Sequence, residues 1–485
     1  MPWLVPNIRS LERIAPSQQT GGELLRYWVE SASYIMALDP ENNPLSFPVL
    51  KYYNQSPSLI HALQSISAGH QYFFEPGKLR RCFEERLLSI QHVRKELDTQ
   101  TNDPSLAFLT VFVLGLSSYW IALPADDPVL LHHAQAHLQG GRALIDTMLA
   151  IPVPQFSPQM LFAFGAYLYW DMACSFVIAP ADLKAIDGSD FSFAVEALAR
   201  MYHPILGYSA EITYVLAKVG RYCRTVEDTE QRDTSLEEEL ENQLRSIKPT
   251  QISAELGLLE EAYRCHGLIN IYAIYRRGRV STASPEAAPS HSTEEQSMAD
   301  LPAREPSDSW ELDETGLAFL EKGFYNAFDE DMAKQTLKWL DYLPLGDYQP
   351  LMLPSDEHHS SSESLLSDGD CDTSTETISD DDLQSTIRKL AIQAVHALTQ
   401  VPESHPSINL HGIPLLTAGS ELLAADVEER KLVTKRFRAL YSFNHMTANL
   451  TALDLLQEVW AIRDLGGATS WLKVMRSKGW HLMLG

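Results

Sequence analysis

The chain is 485 residues long, 45% hydrophobic, and carries a formal net charge of −26 from 64 acidic against 38 basic residues. That length buries a large core and has room for two to three domains. The acidic balance argues against direct nucleic-acid binding, which draws much of its affinity from Lys and Arg on phosphates.

Met1 to Leu11 holds no continuous apolar run, so no secretory signal is expected. The five cysteines, at 82, 174, 223, 265 and 371, are separated by 92, 49, 42 and 106 residues. No pair approaches the Cys-x-x-Cys spacing of a zinc site. Scattered, odd-numbered cysteines suit a reducing compartment rather than a disulfide framework.

After a tail over 1–20, helical periodicity dominates. Leu59, Ile60, Leu63 and Ile66 share one face of a helix within Ser56 to Phe74. Pro104 to Ala125 runs 22 residues without a charge, a length that spans a bilayer. Its flanks are Asp103, Asp126 and Asp127, with no adjacent Lys or Arg to anchor it. A buried core helix is therefore expected, not a membrane span. In the next helix His133 and His137 stand four apart on one face, beside His132. No Glu-x-x-His partner or cysteine group completes a coordination set, so no metal is assigned.

Aromatic density peaks over Phe156 to Phe176. Trp120, Phe162, Phe164, Tyr167 and Trp170 are the candidate walls of an apolar ligand pocket between helices, with ordinary core packing as the alternative. His203 to Arg224 (HPILGYSAEITYVLAKVGRYCR) is a turn followed by a helix. Pro204 and Gly207 set the bend, Ser209 stands where an N-cap is wanted, and Glu211 faces the positive end of the helix dipole. Ile212, Val215, Leu216, Val219 and Cys223 form one apolar stripe, with Lys218, Arg221 and Arg224 on the other faces.

Glu227 to Glu241 reads as an acidic loop leading into a solvated helix. Two short basic clusters follow, Arg276, Arg277 and Arg279, and Lys435, Arg436 and Arg438. The first leads into a loop and is the preferred candidate for nuclear import, with a solvated helix end as the alternative. Thr282 to Ser309 holds four prolines and few large apolar residues, and Ser355 to Ser385 holds ten Asp or Glu with no Lys or Arg. Neither buries enough apolar surface to offset its ordering entropy, so both are expected to be disordered loops. Between them Leu317, Leu320, Phe324 and Phe328 keep helical spacing, and beyond them Val433, Phe437, Leu440 and Tyr441 do the same.

Asp368, Asp370 and Asp372 open like a calcium loop, but Thr373 stands where Gly is needed and Ser379 where Glu is needed. Leu365, Leu366 and Ile378 within acid, and Trp339 to Tyr348 before it, have the composition of activation segments that fold on a partner. A solvated charge run is the alternative. Ser367, followed by Asp370, is a candidate phosphorylation site. Strand signals are scarce. The expected fold is all-α, a multi-helix bundle-like regulatory domain in three parts, 21–281, 310–354 and 386–485, interrupted by insertions over 282–309 and 355–385. No nucleophile elbow, phosphate loop, dinucleotide fingerprint or zinc-protease motif occurs, so no catalytic residue and no cofactor is assigned.

Several stretches, taken in order, resemble the fungal-specific transcription factor domain, the regulatory region usually found downstream of a zinc binuclear cluster. They are Ser56 to Phe74, His132 to Leu149 (with Gly140 and Gly141 where Gly-Ala is usual), GYSAE at Gly207 to Glu211 with its helix, Glu261 to Arg276, Pro414 to Phe437 and Leu455 to Asp464. The resemblance covers about residues 20 to 475. It implies a transcriptional regulator of catabolic or secondary-metabolite genes, located in the nucleus and shared with the cytoplasm. Its helical domain would respond to a metabolite, such as a sterol or pathway intermediate, or to a partner. The implied partners are other transcription factors or co-regulators, a DNA-binding partner, a second copy in a homodimer, and a small apolar ligand. The family's DNA reader needs six cysteines in two close groups. Five scattered ones, and an N-terminus reading MPWLVPNIRSLER, lead to the expectation that this chain lacks the zinc cluster and, with its acidic balance, binds no DNA alone; with no catalytic motif, it is not expected to be an enzyme. The alternatives are a stand-alone small-molecule binding or scaffold protein and an enzyme using the same apolar cavity.

Overall fold

The computed structural model of the protein describes residues 19–39, 43–52, 54–72, 78–98, 103–117, 128–150, 156–186, 188–250, 252–282 and 380–484. Among them the regular structure is helical, as the sequence led us to expect. It contains no strand, and one isolated antiparallel bridge joins His203 to Gly207.

The first half holds α1 (Gln19–Glu30), 3₁₀ turns at Ala32–Met36 and Phe47–Tyr52, then α2 (Pro57–Tyr72), α3 (Lys78–Asp98), α4 (Pro104–Ser117), α5 (Pro128–Leu149) and α6 (Pro158–Ser175). It continues with α7 (Ser189–Ala199), α8 (Ala210–Thr229), α9 (Thr234–Ser246) and α10 (Ala254–Thr282). The C-terminal part holds α11 (Asp380–Gln400), a 3₁₀ turn at Pro406–Leu410, α12 (Gly412–Ser420), α13 (Val427–Asn444), α14 (Ala448–Asp464) and α15 (Trp471–Ser477). Proline opens α2, α4, α5 and α6, a position where its missing N–H forfeits no helical hydrogen bond. Side-chain caps complete other starts: Ser157 accepts from Met160 N, Asp233 from Leu236 N, and Ser470 from Lys473 N.

The helices pack in succession. α2 lies mainly on α3 and α4, α4 on α5, α6 on α8, and α8 on α10. α10 then packs extensively on α11, which joins the chain on the two sides of residues 283–379. One hydrophobic core runs through these contacts from Leu25 to Leu484. The charge-free segment forms α4 over Pro104–Ser117. Phe108, Val111, Phe112, Val113 and Leu114 are buried, each such side chain stabilising the fold by about 1.5–3 kcal/mol. No described helix is long and apolar enough to cross a membrane.

The apolar stripe of α8 is buried throughout, and so are Val433, Phe437 and Leu440 on α13. Other details differ from the sequence reading. Ser209 occupies the N-cap position of α8 but makes no side-chain cap; its hydroxyl donates to Glu260 Oε1 (3.2 Å) on α10. The bend before it is held by His203, whose backbone pairs with Gly207 in both directions (2.8 and 2.7 Å), with Gly207 at φ 63. α8 is buried on more than one face because α6 and α10 flank it. A Cβ at Gly220 would overlap Ser175 Oγ and come within 2.9 Å of the Phe176 ring, so only glycine fits that crossing.

The acidic stretch Glu227 to Glu241 is mostly helical. Glu237, read as solvated, is fully buried and accepts hydrogen bonds from Tyr222 (2.5 Å) and Arg232 (2.9 and 2.6 Å). The expected loop over 355–385 ends early, because α11 starts at Asp380. Acidic residues there face the positive end of the helix dipole. The expected helix at Leu317 to Phe328, the aromatic-acid segment Trp339 to Tyr348, Ser367 and the Asp368 to Asp372 run lie outside the described residues.

Candidate functional site

A small apolar cleft, with a cavity volume of about 60 Å³, opens where segments from distant parts of the chain meet. Phe112 and Leu116 come from the end of α4, and Tyr169 from α6. Ile205 stands in the turn before α8, where His203 Nδ1 accepts from the Ile205 and Leu206 N–H groups (3.1 and 3.2 Å). Ile35 to Leu38 form one wall, and the Leu38 N–H donates to Pro204 O (2.7 Å). Pro406, Asn409, Leu410, Asn444 and Met446 form the opposite one.

The two walls are tied by amides. Asn409 Nδ2 donates to Ile35 O (3.1 Å), and Asn444 Nδ2 to Asn409 Oδ1 (3.1 Å). Asn444 Oδ1 in turn accepts from Met446 N and Asn449 Nδ2, both at 3.0 Å. At the polar corner, Tyr263 donates its hydroxyl to Leu410 O (2.8 Å). The Tyr169 hydroxyl is buried beside that of Tyr263, and burial pushes its pKa above the ordinary tyrosine range.

The residues of α6 singled out as pocket walls share that helix with Tyr169, on other faces of it. Phe162 is half-buried and stacks on the His203 ring at 5.4 Å. Phe164 is buried against the edge of Phe156, and Tyr167 is buried with its hydroxyl on Asp171 (3.0 Å). Trp170 meets Phe112 edge-on at 5.7 Å and fills the space left by Gly115 and Gly141. None of these four lines the cleft, and Trp120 lies outside the described residues. Tyr169, from the same aromatic segment, does line it, whereas Phe112 and the two asparagines were not among the candidates. Nothing in the local pattern marks Ile35 or Asn409 as neighbours, because the wall forms only when remote segments dock.

Of the basic cluster, Arg276 pairs with Glu421 (3.1 Å) and Gln384, and Arg277 pairs with Glu227 and donates to Ser470 Oγ (2.6 Å). The Arg279 side chain lies outside the described residues. His137 is buried with its Nε2 3.2 Å from Arg86 Nη2; the side chains of His132 and His133 are likewise outside. Among the described residues no group of three or more His, Cys, Asp or Glu is placed to hold a metal ion.

The model of the fungal specific transcription factor domain matches residues 23–278 and 369–485. The chain belongs to that family, whose domain is that of transcriptional regulators. No curated protein and no solved structure is significantly similar to it.

Proposed function

We propose that this chain is a nuclear regulator of metabolic or secondary-metabolite genes, controlled by a small apolar molecule in the cleft and acting through protein contacts with a DNA-binding partner. The observation that carries the reading is the composition of the cleft walls. Ile35 to Leu38, Phe112, Leu116, Tyr169 and Ile205 belong to the first matched stretch of the family, and Pro406 to Met446 to the second. A molecule between them touches both parts at once. Binding to the folded state alone stabilises it by mass action, so occupancy biases how firmly the two parts hold together. The charge of −26 is consistent with a partner supplying the DNA contacts.

Chromatin immunoprecipitation with and without candidate partners tests the reading. Promoter occupancy that depends on a partner is expected. A chain that occupies no promoter under any condition is instead a stand-alone binding or scaffold protein using the same cleft.

A further inference from the structure

A roomier groove runs between α5 and the segment Ala181–Lys184, with a cavity volume of about 380 Å³, within the range of small-molecule pockets. It shares no lining residue with the apolar cleft. Its frame is tied down. Gln139 Nε2 donates to Asp182 O (3.1 Å), and Arg142 Nη2 to Ala185 O (2.7 Å), which hold the segment on α5. Arg142 is 8% exposed, lies over the Phe191 ring at 5.3 Å, and pairs through Nε with Asp146 Oδ1 at 2.7 Å. These two charges therefore compensate each other. Two further charged side chains line the groove, Asp182 and Lys184, and both face water. Leu183 between them has φ −105 and ψ 134, extended backbone that sends the side chains on either side of it to one face, about 7 Å apart. Lys184 spends one N–H on Asp146 Oδ2 (2.5 Å) and keeps two donors. Its side chain is 64% exposed, and ion pairs so exposed contribute little, so Lys184 exchanges that partner at small cost. Asp182 makes no ion pair among the described residues.

We propose that this groove binds a free α-amino acid, with its carboxylate on the Lys184 ammonium, its ammonium on the Asp182 carboxylate, and its side chain against Leu138, Ala143 and Leu183. The charges decide the class. A ligand of one sign meets one attraction and one repulsion from this pair. A zwitterion with its two charges a few ångströms apart meets two attractions, each a charge-assisted hydrogen bond. Arg221 on α8 also donates to Lys184 O (3.2 Å), so occupancy braces a segment that both α5 and α8 hold.

Three probes separate the elements of this claim: L-valine, 3-methylbutanoate (valine without its ammonium) and isobutylamine (valine without its carboxylate). Each is titrated at neutral pH into the purified full-length chain by calorimetry and thermal shift, with L-methionine and L-phenylalanine alongside. Valine is expected to bind at least about tenfold tighter than either half-molecule, the worth of one hydrogen bond to a charged group. Lys184→Met is expected to bring valine down to the level of isobutylamine, and Asp182→Asn down to that of 3-methylbutanoate. Both side chains are exposed, so the unliganded variants should melt with the wild type. A half-molecule that binds as tightly as valine, or a variant that keeps wild-type affinity for valine, overturns the zwitterion assignment. Failure of all three amino acids to bind the wild type overturns the site itself, and leaves the reading of the apolar cleft as it stands.

Discussion

Asp171 on α6 accepts one 2.7 Å hydrogen bond on each carboxylate oxygen from the Arg221 guanidinium on α8. The carboxylate is fully buried and also receives the Tyr167 hydroxyl at 3.0 Å, while Arg221 reaches the backbone oxygens of Ala217 and Lys184, each at 3.2 Å. The residue that sequence periodicity assigns to an outer face of α8 thus locks two core helices together. Removing one partner of such a pair strands the other. Arg221→Met is expected to lower unfolding free energy by about 3–5 kcal/mol. Asp171→Leu combined with Arg221→Met should recover most of that loss, measured by urea denaturation. Simple additivity of the two single changes would show that the pair does not act as a unit.

The turn before α8 requires a neutral imidazole. His203 Nδ1 accepts two backbone N–H groups, so the ring proton sits on Nε2, which donates to Phe162 O (3.1 Å). Burial lowers the His203 pKa from 6.5 to about 4, and His70 and His266 are pushed down to about 4 and about 3, in each case mainly by desolvation. Above pH 6.5 both folded and unfolded chains carry these groups neutral, and the full stability is present. Below it the unfolded chain takes up protons that the folded chain refuses. Stability therefore falls by up to about 1.4 kcal/mol per pH unit for each group until the folded pKa is reached. His203→Asn keeps an acceptor for the two N–H groups and removes one titration. Its stability between pH 6.5 and about 4 should fall less steeply than that of the wild type, by about one proton in the slope. An unchanged slope would mean that His203 is not one of the groups titrating there.

The α6–α8 crossing is closed by glycine. Gly220→Ala places a methyl group against Ser175 Oγ and the Phe176 ring. Overpacking of this kind costs about 1–3 kcal/mol, and the melting temperature should drop. At Gly188, the N-cap of α7, a Cβ meets nothing within 4 Å, so the same substitution should cost only alanine's weaker N-cap preference and lower the melting temperature less than Gly220→Ala.

Arg277 joins α10 to the Glu227 carboxylate on α8 and to Ser470 at the start of α15. Docking and the proposed import role make different predictions. Arg277→Gln in a fluorescently tagged chain is expected to loosen α15, seen as faster amide exchange over Trp471–Ser477. Changing Arg276, Arg277 and Arg279 together should move the tag out of the nucleus if the cluster is the import signal. A tag that stays nuclear assigns these arginines to docking alone.

What could be read in advance was whatever depends on local periodicity. α4, the α8 stripe and the α13 stripe follow from apolar spacing, and the all-α class follows from their sum. Tertiary partners decided the rest. Ser209 looks like a cap but its hydroxyl goes to Glu260, which α10 brings from 51 positions away. Glu237 looks solvated, yet Tyr222 and Arg232 surround it. Of the aromatics in Phe156 to Phe176, Tyr169 lines the cleft, and Phe162, Phe164, Tyr167 and Trp170 do not. Which aromatic faces the space is fixed by Ile35 to Leu38 and Asn409, and their approach has no local signature in the sequence.

The most direct test of the regulatory account measures promoter occupancy and transcript levels together, in the host, for the wild type and for Leu116→Trp across a change of carbon source. The account predicts that the wild type occupies promoters and that the associated transcripts respond to the change. With the cleft filled, the protein should remain folded and abundant while the response is lost. Absence of wild-type promoter occupancy, or a Leu116→Trp response equal to that of the wild type, would contradict it.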